Sequence, residues 1–246
     1  LTSLGDDIAL LTVNHGSVTL HGSPFYQKTR MNYPNFSVNN VYFLYLKQAR
    51  VDMIIQEHQP LTSLLNNSFS SHQSLPSHFR LVSELSSLGT HYQYQNTVSK
   101  QPEPLLRGLL SIQNHSISQI KLHINASIRN TIDFTKCTRG VLYASSTKDF
   151  QVIHEESWLF EFNAMRKMKN IAQACLSTTN RTTSPHRILV RRYIQRQNKE
   201  KSTNLTIVLR KWKNTFEVID GNHRLLASLC RYLQDGIDPV VTFLAV

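Results

Sequence analysis

The side chains best suited to chemistry stand together at Asp220-Gly221-Asn222-His223-Arg224. Arg224 and His223 can donate to phosphate oxygens, Gly221 lets a backbone or ligand come close, and Asp220 can hold a metal ion or accept a proton. A plainer reading gives Asp220 to helix capping, Gly221 to a turn and Arg224 to a surface ion pair; five residues alone do not separate the two. A second acidic point is His154-Glu155-Glu156. Its carboxylates either favour the positive end of a following helix, by about 0.3–1 kcal/mol, or supply a base. The third feature is basic. Between Ser184 and Lys213, Arg187, Arg191, Arg192, Arg196, Lys199, Lys201, Arg210, Lys211 and Lys213 face only Glu200. Such a run fits a polyanion or a phosphorylated ligand, and equally a solvated loop.

The elements that must position these residues follow from patterning. Thr206 to Leu209 and Phe216 to Ile219 are short β-branched runs on either side of Lys213-Asn214, which predicts a hairpin. Leu225, Leu226, Leu229 and Leu233 then fall at helical spacing, and Gly236 stands where a helix stops. The Asp220–Arg224 group therefore lies where a strand hands over to a helix N-terminus, whose first N–H groups lack intrahelical partners and attract anions. Phe150 to Ile153 alternates like a strand and leads into Glu155. From Ser157, apolar Trp158, Leu159, Phe162, Met165, Met168, Ile171, Ala172 and Cys175 predict one helix to Leu176. Ile188 to Tyr193 reads as a strand, followed by a basic loop to Asn204.

The stretch "FEVIDGNHRLLASL" with the strand-like "IDPVVTFLAV" resembles the ParB/sulfiredoxin superfamily, whose shared feature is a strand, a glycine-led turn ending in Arg, and a helix. The Asp-Gly-x-His-Arg form looks closest to the free-serine kinase branch and to related Asp-Gly-Asn-His-Arg proteins of less certain role. The resemblance covers roughly the last hundred residues. It implies a mixed-sheet domain, ATP or ADP phosphates on Gly221, Asn222, His223 and Arg224, Mg²⁺ at Asp220, and Glu155, Asp220 and His223 as catalytic groups, with Glu155 acting as base on an acceptor of unknown identity. The expected function is thus a phosphotransferase or ATPase. The alternative is a ParB-like nucleotide- or nucleic-acid-binding module without catalysis, with Arg191, Arg192, Arg196, Lys199 and Lys201 as its polyanion surface. A non-catalytic relic of the fold is the third reading. Sulfiredoxin chemistry is excluded, because Asn222 stands where that reaction needs a nucleophilic cysteine.

The first half is less informative. Ile8 to Gly22 predicts a hairpin turning at Asn14-His15-Gly16; Val38 to Arg50 is a buried strand or short helix; Val51 to Leu65 continues as helix. A helix capped at Ser77 should end at Gly89. His91 to Pro104 reads as loop, and Leu105 to Gln113 and Ile117 to Ile132 as helices. The expected division is 1–140, a mixed region of unknown fold and function, and 141–246, the nucleotide-binding domain, giving an α/β (α+β) protein.

With 246 residues, 40% hydrophobic residues and a mean hydropathy of -0.30, the chain suits a globular protein with an ample core. No apolar run is long enough to span a bilayer, and the first residues do not read as a charged-then-apolar signal peptide. Its start at Leu1 is expected of a fragment or processed product. Three separated cysteines without metal-ligand spacing predict a reducing, cytoplasmic setting, although six Asn-x-Ser/Thr sequons occur in a Ser-, Thr- and Asn-rich chain. The formal net charge is +11, with +4 carried by residues 1–150 and +7 by residues 151–246.

Overall fold

Strand alternation and helical spacing resolve, in a computed structural model of the chain, into eleven strands and nine α-helices among the described residues, which are 10–14, 17–21, 36–38, 42–49, 51–66, 75–97, 103–113, 117–122, 124–177, 184–199 and 206–246. In chain order they are β1 (Leu10–Asn14), β2 (Ser17–His21), β3 (Phe36–Val38), β4 (Tyr42–Gln48), β5 (Met53–Gln56), α1 (Pro60–Asn66), α2 (Leu75–Leu88), β6 (Thr90–Asn96), α3 (Glu103–Gln113), α4 (Ile117–Leu122), α5 (Ala126–Arg129), β7 (Thr138–Tyr143), β8 (Gln151–Val152), α6 (Glu156–Glu161), α7 (Met168–Leu176), α8 (Pro185–Lys199), β9 (Thr206–Trp212), β10 (Thr215–Asp220), α9 (Asn222–Asp235) and β11 (Val240–Ala245). The chain is α/β of the α+β kind, and no helix among the described residues is long and apolar enough to cross a membrane.

Two compact units divide it, residues 1–46 with 56–93 and residues 47–55 with 94–246. In the first, β1, β2 and β3 form an antiparallel sheet. Leu64, Val82 and Leu85 of α1 and α2 make its small core. Buried His91 stacks on Phe43 at 4.6 Å and accepts from or donates to the Tyr45 hydroxyl at 2.7 Å.

The second unit carries the predicted site. Its strands run in the order β5-β7-β11-β9-β10-β8, with β11/β9 and β10/β8 parallel and the other pairs antiparallel. Alternation along each strand sends successive side chains to opposite faces. Ile207, Leu209, Val218, Val241 and Phe243 join the large core formed with α6, α7, α8 and α9. Val208 and Leu244 face the other way, onto Ile120 and Ile124 beside α4 and α5. A side chain at Gly108 of α3 would strike Val240 at 2.7 Å, so that helix lies close on the same second face. The sheet is thus covered on both sides.

The hairpin, the terminal helix and the last strand stand as expected: β9 and β10 turn at Lys213-Asn214, and α9 buries Leu225 and Leu229 and ends on left-handed Gly236. Other expectations change. Ile188 to Tyr193 is not a strand but the middle of α8. Ser184 caps that helix through Arg187 N–H, Pro185 opens it, and Arg187, Val190 and Gln197 are buried at helical spacing; these tertiary and capping terms override the β-branched composition. The basic stretch up to Lys199 is therefore helical.

The helix expected from Ser157 to Leu176 breaks into α6 and α7, because Asn163 and Ala164 take left-handed backbone (φ 50 and 59). The break lets 166–167 run beside the edge strand β8, where Val152 N–H donates to Arg166 C=O and Gln151 bridges Lys167. The 51–65 helix is β5 plus α1, the 91–104 loop contains β6, and the 117–132 helix is split by Asn125, whose side chain caps α5. The strand at 216–219 lies next to the short edge strand β8. The boundary expected at 140/141 falls inside β7. The hairpin turn residues His15 and Gly16 lie outside the described residues.

Candidate functional site

Gly221 is the hinge of the predicted motif. It has φ 85, and an added Cβ would meet Ile207 Cγ2 at 2.8 Å and the Arg224 guanidinium at 3.2 Å. Only glycine fits such a left-handed, crowded position. Asp220 ends β10, and Asn222, His223 and Arg224 form the first turn of α9, so strand hands to helix where the sequence placed it. Asn222 is buried and its Oδ1 has no hydrogen-bond partner among the described residues.

A bulge then separates the motif's side chains. Val218 pairs with Leu209 and Asp220 with Val208, so Ile219 is an extra residue on β10. Without it, Asp220 would share the face of Val218. With it, Asp220 shares the face of Val208, and its Oδ2 accepts from Asn125 N–H at 3.3 Å and from Arg224 at 3.1 Å. Both members of this ion pair are mostly buried. His223 turns instead into the α6–α9 layer. Its Nε2 stands 2.9 Å from His186 Nδ1, and Trp158 stacks on His186 at 3.9 Å and leans on His223 at 4.8 Å.

Electrostatics follow from that packing. Burial, then His186, then Arg224 lower His223 to about 4, so it is a neutral imidazole near neutrality. His186 is lowered by burial, against the raising fields of Glu161 and Glu155. The Glu161 carboxylate accepts from His186 and Arg187 N–H, filling the N-terminus of α8 with an internal anion. Beside it, Arg187 is buried over the Phe162 ring at 5.6 Å, with Nε and one NH unpartnered.

Glu155 sits directly before α6, exposed and without a capping bond. The parallel β8/β10 register pairs Val152 with Val218, so both chains run out at one sheet edge, Glu155 from β8 and Gly221 from β10. Parallel strands offer such a carboxyl-end edge to ligands. Glu155 acts electrostatically on His186, the neighbour of His223, whereas Asp220 and Arg224 belong with Asn125. The structure thus brings the six expected site residues to one edge but divides them between two layers.

Of the basic residues, Arg191, Arg192 and Arg196 are exposed on α8, and no described carboxylate pairs with them. Lys199 ends α8, and Lys201 lies outside the described residues. His186, Glu161 and Trp158 were not singled out by sequence as site residues. The Ser184-Pro185 helix-start signal was the clue available for His186, since it places that residue in a first turn.

No family model, curated protein or solved structure matches the chain.

Proposed function

We propose that the protein binds the phosphates of a nucleotide, ATP or ADP, at the N-terminus of α9, as a binding module whose ligand rests chiefly on backbone. The observation that carries this reading is Gly221: a left-handed residue with no room for a Cβ, immediately before the free N–H groups of a 14-residue helix. Arg224 adds the charged fork, exchanging Asp220 for phosphate. His223 contributes a neutral ring held by His186, not a positive charge. At Asp220, Mg²⁺ would compete with Arg224 and Asn125 N–H, both of which already donate to Oδ2.

A second reading adds phosphoryl transfer, favoured by the parallel β8/β10 register, which sends the chains leading to Glu155 and to Gly221 out of the sheet at the same end. A bound nucleotide would supply the activated phosphoryl group; Glu155 would accept the proton of the attacking hydroxyl or water. Calorimetry and ATP turnover test both. Arg224→Ala should weaken ATP binding, and Asp220→Asn, which frees Arg224, should strengthen it. A weakening by Asp220→Asn would instead mark Asp220 as a metal or ligand group and overturn the assignment. Glu155→Gln should leave binding intact; a turnover loss of roughly 10²–10⁴ supports transfer, and unchanged turnover removes it.

A further inference from the structure

The described cavities open at the opposite end of β10 from the turn, about 17 Å away by strand rise. One, of about 520 Å³, lies around the Lys213-Asn214 hairpin and is lined by Trp212, Phe216, Lys213 and Lys167 among others. A neighbouring depression shares Lys213 and Phe216 and adds Lys211. Both aromatic rings are braced. The Arg166 guanidinium lies 5.4 Å from the Trp212 ring centre and is itself held by buried Glu217 at 3.0 Å. Phe216 leans on Phe150 at 5.2 Å. Lys167 pairs with Asp149, but no described carboxylate pairs with exposed Lys211 or Lys213. Lys213 also holds a left-handed backbone, φ 52, where a residue without a Cβ would be relaxed.

We propose that this groove binds single-stranded nucleic acid, one base stacking on Trp212, which the strand register sets on the opposite hairpin face from Phe216, while Lys211 and Lys213 meet the flanking phosphates. A braced indole ring beside cations with no described carboxylate partner is the usual platform for an unpaired base on a charged backbone. A duplex keeps its bases stacked inside and offers no free ring, and an acidic peptide would use the lysines but leave the indole without a partner. The volume is also that of a ligand pocket, which typically spans about 300–1,000 Å³. This site stands apart from the α9 turn and does not rest on the nucleotide reading.

The test is fluorescence anisotropy of a labelled oligouridine of roughly ten nucleotides, a usual single-strand site size, with the full chain. Trp212→Ala should weaken binding by about tenfold or more and Trp212→Phe by much less, the range expected of one base stack. Lys211→Ala with Lys213→Ala should flatten the dependence of affinity on salt by about 1.4 in log–log slope. Because Trp212 packs on Arg166, Lys213→Glu, at an exposed position, serves as the variant that leaves packing alone; it too should weaken binding. Intrinsic emission adds a direct readout: of the two tryptophans, Trp158 is 2% exposed, so quenching by oligouridine reports on Trp212. Unchanged affinity in both Trp212→Ala and Lys213→Glu overturns the proposal. So does loss through Arg192→Ala with Arg196→Ala while the hairpin variants bind normally. Equal competition by duplex of the same sequence, by poly-glutamate or by free uridine monophosphate overturns it as well.

Discussion

His223 shows most clearly how a single residue departs from its solution behaviour. Sandwiched near Trp158 and hydrogen-bonded to His186, it is lowered to about 4, first by burial and then by the two neighbouring cationic or cation-forming groups. Unfolded, it would take up a proton near 6.5. Between those values the unfolded chain binds the extra proton, so stability is present above about pH 6.5 and falls as pH drops toward about 4. Allowing for partial exposure, the loss between about pH 7 and pH 5 should be about 1 kcal/mol. Urea melts at the two pH values, for the parent chain and for His223→Asn, measure it. The variant should show a flatter pH dependence; parallel curves would mean that His223 is protonated in the fold. The same neutrality bears on function, since a neutral ring orients a phosphate oxygen without adding charge.

At the scale of elements, Glu217 ties the hairpin to the break between α6 and α7. Its carboxylate is fully buried, with Arg166 at 3.0 Å on one oxygen and Arg210 on the other. Cross-strand pairing of Arg210 with Glu217 fixes one contact, and the left-handed Asn163-Ala164 step brings Arg166 round to the second. Breaking a buried pair leaves uncompensated charge and costs about 3–5 kcal/mol, while replacing the whole group by apolar residues is far milder. Arg166→Met with Arg210→Met, which strands the buried Glu217 carboxylate, should therefore lower stability by that amount, and adding Glu217→Met should regain most of it, both read from urea midpoints. A loss below about 1 kcal/mol in the double arginine variant would place the group in the class of screened surface bridges. The α8 N-terminus follows similar logic, with Glu161 supplying its anion from a different helix.

For the whole molecule, the second unit's sheet has helices on both faces, and β11 lies between antiparallel β7 and parallel β9. Val141, Leu142, Ile207, Val208, Leu209, Val241 and Phe243 on these strands are almost fully buried. Slowest amide exchange belongs to elements that open only with global unfolding. Hydrogen-exchange mass spectrometry should accordingly find the greatest protection in peptides covering β7, β9 and β11, and much less in β8, a two-residue strand with Gln151 half-buried. Faster exchange in β11 than in β8 would mean that the sheet opens from its middle. The net charge of +11 belongs to this scale too. It draws any polyanion to the molecule, whereas the α9 turn, the α8 face or the hairpin groove decides where it rests.

Local sequence determined the β9–β10 hairpin, the strand-to-helix handover at Gly221 and the stop at Gly236, because each depends on a turn residue and a nearby apolar pattern. It also determined that α9 buries Leu225 and Leu229, since spacing along one helix is enough. Tertiary structure decided the rest of the site. Ile188 to Tyr193 carries strand-like composition, yet Ser184, Pro185, Glu161 and packing on α9 make it helix. Trp158 reads only as core until its ring is seen against His186 and His223. Above all, the extra residue at Ile219 turns Asp220 away from the layer that holds His223 and Glu155. A bulge is a mismatch in length between two paired strands, and neither strand's own residues announce the partner against which that mismatch is counted.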